Sequence, residues 1–281
     1  MTGTATAPAS SGNLGPGFDV LALALELRCR VRATPAAEWR IEEMGQSYSP
    51  PVGDLVVRAV KAVVGDRPMR LQIENAVPRS RGLGSSSAVT TAAAAAAVRA
   101  VGDEPTDGML FTVITELEGH PDNAAAAVFG GLVAAKDGVM RRLPISPELV
   151  VVVGIPDAHL STHMARAALP GAVRHQVAAR SIGRVVMLID GLRTGDPTAL
   201  AAAAGDELHE LPRRDLSPVT NDLIAAAVGA GAMHASWSGA GPTAIAFTTA
   251  QTEEPVRQAM QKVLGGSGDV ATLAIAEEGW R

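Results

Sequence analysis

Strand-like and helix-like segments mix along this chain without the strict β-α-β alternation that builds a parallel sheet, so it reads as an α+β protein. Length and composition agree. Apolar residues make up 47% of the 281 positions and charged ones 19%, enough for a sizeable core in one large domain or two of ordinary size. Aromatics are only 3%, so that core is filled mainly by Ala, Val, Leu and Ile. The texture changes at residue 148, where ELVVVVGIP is a short, continuously apolar strand. Two domains are expected, 1–147 and 148–281.

The elements follow in order. Residues 18–33 are strand-rich, and VRATPAAEWRIEEM continues the pattern through a turn at Pro35. DLVVRAVKAVVG (54–65) repeats apolar residues on a helical period and ends on Gly65, a residue type that closes helices. LQIENAV (71–77) alternates apolar and polar, as a half-buried strand does. Helices are expected at 85–101 and 107–118, then a strand at LVAAKDG. In the second half, helices are expected at 162–168, 174–194, 197–210 and 218–230, with Gly195-Asp196-Pro197 breaking the second from the third. MHASWSG and TAIAFTT are strands bracketing a glycine turn. EEPVRQAMQKVLG is an amphipathic helix, and DVATLAIA is a closing strand.

Several function classes drop out. A formal charge of −5 without a basic stripe gives no reason to expect nucleic acid. Cys29 is the single cysteine, which excludes an intrachain disulfide and a cysteine-based metal cluster and makes a reducing, cytoplasmic setting the expectation. The opening MTGTATAPASSG lacks the basic-then-apolar pattern of a targeting segment. FDVLALALEL is interrupted by Asp19 and Glu26 and is too short to span a bilayer, so no membrane partner is expected.

Residues 78–90, PRSRGLGSSSAVT, hold more glycine and serine than a turn and a helix cap require. Gly82 and Gly84 lack Cβ atoms, so the backbone can turn sharply and a bulky anion can lie against its N–H groups. Ser85, Ser86 and Ser87 open a helix whose first N–H groups have no internal partners and carry the positive end of the peptide dipoles. Serine hydroxyls add donors to phosphate oxygens or a ligand to Mg²⁺, while Arg79 and Arg81 add cationic reach. The alanine run behind them has high helix propensity and little bulk. No Gly-Lys-Ser/Thr follows the glycines, so this is not a Walker loop, and it is not GxGxxG. By itself the stretch also fits an N-capped helix with a flexible entry.

With its neighbours, PRSRGLGSSSA resembles the phosphate loop of the GHMP kinases. Three more segments match in order: APASSGNLGPGFDVLALAL (7–25) is similar to the family's first motif, EGHPDNAAAAVFGGL (118–132) to the substrate segment of members acting on homoserine, and SWSGAGPTAIAF (236–247) to the third motif. PDAHLSTHMARAALP (156–170) and DELHELPRRD (206–215) are weaker matches. The resemblance covers nearly the whole chain. It implies the GHMP kinase fold: an N-terminal ATP-binding domain like ribosomal protein S5 with a left-handed β-α-β element, and a C-terminal ferredoxin-like domain. ATP would lie between them, and many members form homodimers.

The resemblance also implies roles for individual residues. ATP would be held by Asp54, Pro78, Arg81, Gly82, Leu83, Gly84, Ser85, Ser86 and Ser87, with Gly239 and Gly241 in the third motif. Mg²⁺ would be held by Ser86 (alternatively Ser85) and Glu118 (alternatively Glu116), and a hard cation that keeps several waters needs no more. Arg166 and Arg213 match the family's carboxylate-binding arginines, with Arg214 competing for the second place; a guanidinium fork suits that planar anion. Thr162 lies four residues before Arg166, on the same helix face. Asp19 and Asp122 are candidates for the substrate ammonium, and Asn13, His120 and Asn123 would surround the reacting side chain. Several members place an aspartate base near this segment, and Asn123 stands there instead. Asn accepts no proton usefully, so the resemblance implies direct phosphoryl transfer without a protein general base.

Three departures stand out. Relatives acting on homoserine often carry Asp-Asn-Leu before the helix at 54–65, with the amide touching adenine. Here GDLVV puts Asp54 in its place, and a carboxylate can accept but not donate. The segment 28–53 is short for the family, and DELHELPRRD lacks the aromatic commonly found near its arginine. The expected activity is ATP-dependent phosphorylation of the side-chain hydroxyl of L-homoserine, for threonine synthesis. Alternatives are a kinase of the same build acting on L-threonine or another hydroxy amino acid, and a non-catalytic ligand sensor on this fold.

Overall fold

The computed structural model describes all 281 residues. β1 (Gly3–Gly12) and β2 (Leu21–Pro35) run antiparallel, and β2 is the spine of the first sheet. One edge of β2 pairs with β1. A hairpin of β3 (Arg40–Glu43) and β4 (Gln46–Tyr48) leads into α1 (Leu55–Val64) and then β5 (Met69–Asn75), which pairs with residues 29–35 on the other edge of β2. β3 lies parallel to β5, so the chain between them is a crossover that includes α1. β6 (Leu132–Lys136) pairs with residues 21–23 of β2, and β7 (Val139–Leu143) lies outside it.

Three of these strands escape the sequence reading, the three-residue β4 among them. β1 is made of Gly, Ala, Thr, Ser and Pro, so no apolar–polar alternation shows, yet residues 7–12 are all buried. β7 is short and lies at the edge of the sheet, with three of its five residues exposed. Behind β1 and β2 packs α2 (Ser85–Ala100), which also touches α1, α3 (Asp107–Glu118) and α4 (Asp122–Phe129). Ala92 through Ala97 have no exposed surface. A helix covered on every side carries no amphipathic stripe, and methyl side chains let all its neighbours come close. α4 is also an unanticipated helix, folded from DNAAAAVF.

The second sheet holds β8 (Val150–Pro156), β9 (His234–Trp237), β10 (Ala244–Thr248) and β11 (Gly268–Leu273), antiparallel in the order β11-β8-β10-β9. On one face Val152, Ala244 and Ala246 meet Leu223 of α9 (Pro218–Gly229) and Val256 and Met260 of α10 (Glu253–Leu264). This succession and strand order make the ferredoxin-like arrangement. On the other face Val151, Val153, Ile245 and Phe247 join Leu188 and Leu192 of α6 (His175–Thr194) and Leu200 of α7 (Pro197–Ala202) in a core continuous with that of the first sheet.

Between β8 and α6 lies the short α5 (Thr162–Ala167), and after α7 comes the single turn α8 (Glu210–Arg213). The helix expected over 197–210 is therefore two pieces. Gly205 adopts φ 83°, and the Asp206 carboxylate accepts from the backbone N–H groups of His209 and Glu210, starting a new turn rather than continuing the old one. No helix is long and apolar enough to cross a membrane.

Residues 274–281 return to the first sheet. Glu26 N–H donates to the Ala274 carbonyl, Ala276 N–H to Ala24 and Gly131 N–H to Ala276, so the tail runs along β2 beside β6. Thr6 and Arg281 exchange both backbone hydrogen bonds, at 2.8 and 3.0 Å. Arg28 donates to the carbonyls of Glu278 and Gly279. Trp280 donates its indole N–H to Asp107 while the Arg99 guanidinium lies 5.1 Å over the ring. The Trp280→Ala variant should lose about 1–2 kcal/mol through this anchoring. Thermal unfolding checks this, with a Tm several degrees below the parent expected.

Candidate active site

A cleft of about 350 Å³ runs between the start of α2, the loop joining β1 to β2, α5 and the turn joining β9 to β10. Gly84 precedes α2 with φ 62°, and no side chain caps that helix start. The first internal helix bond is Ala88 N–H to the Gly84 carbonyl, so the N–H groups of residues 85–87 have no backbone acceptor. Both loop glycines are required. A Cβ on Gly84 would overlap the Ser10 hydroxyl, and one on Gly82 would overlap the Ser238 carbonyl oxygen. Ser238 donates its hydroxyl to the Gly82 carbonyl at 2.7 Å, which ties the β9–β10 turn onto the loop.

The three serines have different surroundings. Ser85 donates to the Val77 carbonyl and accepts from Asn75, a structural position. Ser86 is exposed and lines the cleft. Ser87 donates to Oε2 of Glu118. The other oxygen of Glu118, Oε1, is buried without a partner, and burial pushes this carboxyl above the usual carboxylate range. An orphaned carboxylate oxygen beside a free serine hydroxyl is the donor set a hard divalent cation takes, so Ser86 and Glu118 fit Mg²⁺. Glu116 is exposed and does not line the cleft.

At the other end, the loop 13–19 gathers the polar groups. Asn13, Leu14 and Asp19 all have positive φ. Asn13 accepts from the Asp19 N–H and donates to the Gly239 carbonyl, so its side chain holds loop and turn together. Asp19 and Arg166 form a two-pronged ion pair at 2.7 and 3.0 Å. That hydrogen bonding raises the Arg166 pKa. Arg213 is 2% exposed, donates to the Ala165 and Gly239 carbonyls and to His209 Nδ1, and lines the cleft. Burial, then the charge of Arg166, lowers its pKa to about 10. Arg214 is exposed and outside the cleft, while Thr162 lines it.

His120 Nδ1 lies 2.6 Å from Asp122 Oδ1. Burial opposes a charge on this imidazole, but the hydrogen bond and charge of Asp122 outweigh it and raise the His120 pKa. Asn123 accepts from the Ser10 hydroxyl at 2.8 Å.

The cleft thus collects nearly all the residues singled out from the sequence, including Pro78, Arg81 and Leu83. Two lie elsewhere. Asp54 caps α1, its carboxylate accepting from Val56 and Val57 N–H groups, and is not among the lining residues. Gly241 sits behind the turn, donating to the Ser238 carbonyl. The cleft also contains Phe18 and Ala240, which sequence reasoning passed over, and Ser10 supports Asn123 from behind. Phe18 stands inside the quoted GPGFDV stretch but carries no chemistry of its own, and Ser10 lies in a strand that periodicity did not show.

Comparison with known proteins adds the family. Residues 54–131 match the model of the GHMP kinases N-terminal domain and residues 188–266 that of the GHMP kinases C-terminal domain. The chain is 40% identical over 252 residues to a homoserine kinase of Moorella thermoacetica, covering 85% of each chain. It is 38% identical over 277 residues to one of Thermus thermophilus, covering 96% of this chain and 95% of the relative. Among solved structures, a homoserine kinase from Cytophaga hutchinsonii superposes with a TM-score of 0.86 at 25% identity, over 100% of this chain and 96% of that one. A mevalonate kinase at 14% identity and TM-score 0.72, over 98% of this chain and 99% of that one, shares the fold.

Beside the cleft, Glu210 turns its carboxylate onto the Trp237 N–H at 2.7 Å, and burial pushes its pKa up to about 8. A carboxyl raised in the folded state contributes stability that is full below its unfolded pKa and is lost as pH rises through the folded one. Glu210→Gln keeps the acceptor without the charge. Its Tm relative to the parent should therefore be higher at pH 8.5 than at pH 4.5, as paired thermal melts at the two pH values would measure.

Proposed function

We propose that this chain, which belongs to the GHMP kinases and within them to the homoserine kinase family, transfers the γ-phosphoryl group of ATP to the side-chain hydroxyl of L-homoserine. The product is O-phospho-L-homoserine, a precursor of threonine. The observation that carries this reading is the juxtaposition, in one cleft, of an uncapped helix start with an opposed carboxylate and guanidinium, Asp19 and Arg166, and a second buried guanidinium, Arg213.

Each group has a task. The N–H groups and hydroxyls at the start of α2 hold the phosphates of ATP, with Arg81 beside them. Ser86 and Glu118 are the residues to hold Mg²⁺, which when bound supplies neutralisation of phosphate charge. The acceptor is a zwitterion, and it can replace the Asp19–Arg166 pair with two pairs of its own: ammonium to Asp19, carboxylate to Arg166 and Arg213. A molecule with only one of the two charges would leave a cleft ion unpaired, so recognition demands both.

Asp122 is already engaged by His120, and Asn123 has an amide that takes no proton. The hydroxyl proton therefore leaves directly to a phosphate oxygen or to water as the P–O bond forms. A loose transition state tolerates this, because it depends on positioning and charge neutralisation more than on a strong nucleophile.

Mg²⁺-dependent ADP release with L-homoserine and L-threonine side by side tests the reading. Turnover on homoserine is expected, and turnover on threonine alone would overturn it. Arg166→Ala should raise the KM for homoserine by about 10- to 100-fold, with the KM for ATP little changed. Glu118→Gln should abolish the rise in Tm that Mg²⁺ with ATP gives the parent chain.

A further inference from the structure

Phosphoryl transfer gives no reason for an aromatic ring in this cleft, yet Phe18 stands in its wall beside both arginines. The Arg213 guanidinium carbon lies 5.5 Å from the centre of the ring and that of Arg166 lies 5.8 Å from it. Another face of contact is His209, whose ring stacks on Phe18 with centroids 5.1 Å apart and planes 21° apart. His209 is fully buried. Its Nδ1 is 3.0 Å from Arg213 Nη1 and its Nε2 is 2.7 Å from the Gly15 carbonyl oxygen.

The hydrogen-bond partners fix the state of this imidazole. A guanidinium only donates, so Nδ1 is the bare nitrogen that accepts from Arg213; a carbonyl only accepts, so Nε2 carries the proton. His209 is therefore neutral, in a single tautomer. The other charged groups around it are Asp206, whose carboxylate oxygen is 3.7 Å from Nε2, and Asp19 in the same loop as Phe18. Three elements meet here: the loop 13–19 through Gly15 and Phe18, α8 through His209 and Arg213, and α5 through Ala165 and Arg166.

From this juxtaposition we infer that Phe18 and His209 are positioning residues for the amino-acid acceptor: the stacked pair sets where the Arg166 and Arg213 guanidinium groups stand and takes no part in ATP binding. Cation–π attraction holds both cations against the ring without using the N–H edges that a carboxylate needs. The His209 acceptor fixes the rotation of Arg213 about its long side chain. Like charges that would drift apart are thereby kept on one wall. The inference rests on the amino-acid kinase reading above.

The test is steady-state kinetics of the full-length chain, with KM for the acceptor and for ATP measured separately. The acceptor is the hydroxy amino acid that the parent chain turns over fastest, L-homoserine under the reading above. Phe18→Leu removes the ring, His209→Phe keeps the stack but removes the acceptor nitrogen, and His209→Asn offers a replacement oxygen. Phe18→Leu and His209→Phe should each raise the acceptor KM by about tenfold and leave the ATP KM within about twofold. Phe18→Tyr and His209→Asn should recover part of the loss. Equal increases in both KM values, or a lowered Tm with both KM values unchanged, would overturn the inference by making the pair purely structural. A variant that fails to fold is replaced by its conservative partner, for which the same selective pattern at smaller size is required. A parent chain that prefers threonine overturns the homoserine reading while leaving this comparison intact. One that turns over no hydroxy amino acid removes both.

Discussion

The first turn of α2 emerges uncapped at the floor of the cleft while the rest of that helix is covered on every side, and most of the site is arranged around this fact. β1 and β2 lie against it, and α1, α3 and α4 touch it. Covering it takes a helix with methyl groups almost all round, which only an alanine run provides while keeping high helix propensity. The same constraint forces glycine at 82 and 84, because the loop entering the helix is pressed between Ser10 and the Ser238 turn. Any α-helix leaves its first N–H groups without internal partners, and here the packing aims them at the cleft.

The polar end of the cleft follows a different rule. Its charges are held by one another: Asp19 by Arg166, Asp122 by His120, Arg213 by His209 and two backbone carbonyls. Satisfied charges are tolerated in a partly buried wall where lone ones would not be. Glu118 is the exception, with one oxygen unpartnered, and it is the carboxylate proposed above for the cation.

How much of this could be read from residues alone depends on range. The glycine-serine loop, the alanine helix and the spacing of Thr162 and Arg166 are local patterns and were legible. Asp54 also carries a local signal for what its side chain does in the structure: an acidic residue directly before an apolar helical repeat is a helix cap. β1 was not legible, since its residues are all small and its burial comes from α2, far along the chain. Phe18 and Ser10 owe their importance to partners that only the tertiary fold supplies, Arg213 and Asn123. The helix break near Gly205 had its punctuation in plain view, glycine followed by a capping aspartate, but an alanine-rich segment masked it.

The return of residues 274–281 to β2 has a consequence for how the first sheet folds. Thr6, Ala24 and Glu26 take their backbone partners from Arg281, Ala276 and Ala274, at the far end of the sequence from β1 and β2. Pairings of such long separation carry the loop-closure cost of everything between them. The strand groups they cover therefore stay unpaired until most of the chain has folded, and an unpaired strand edge is a template for wrong partners.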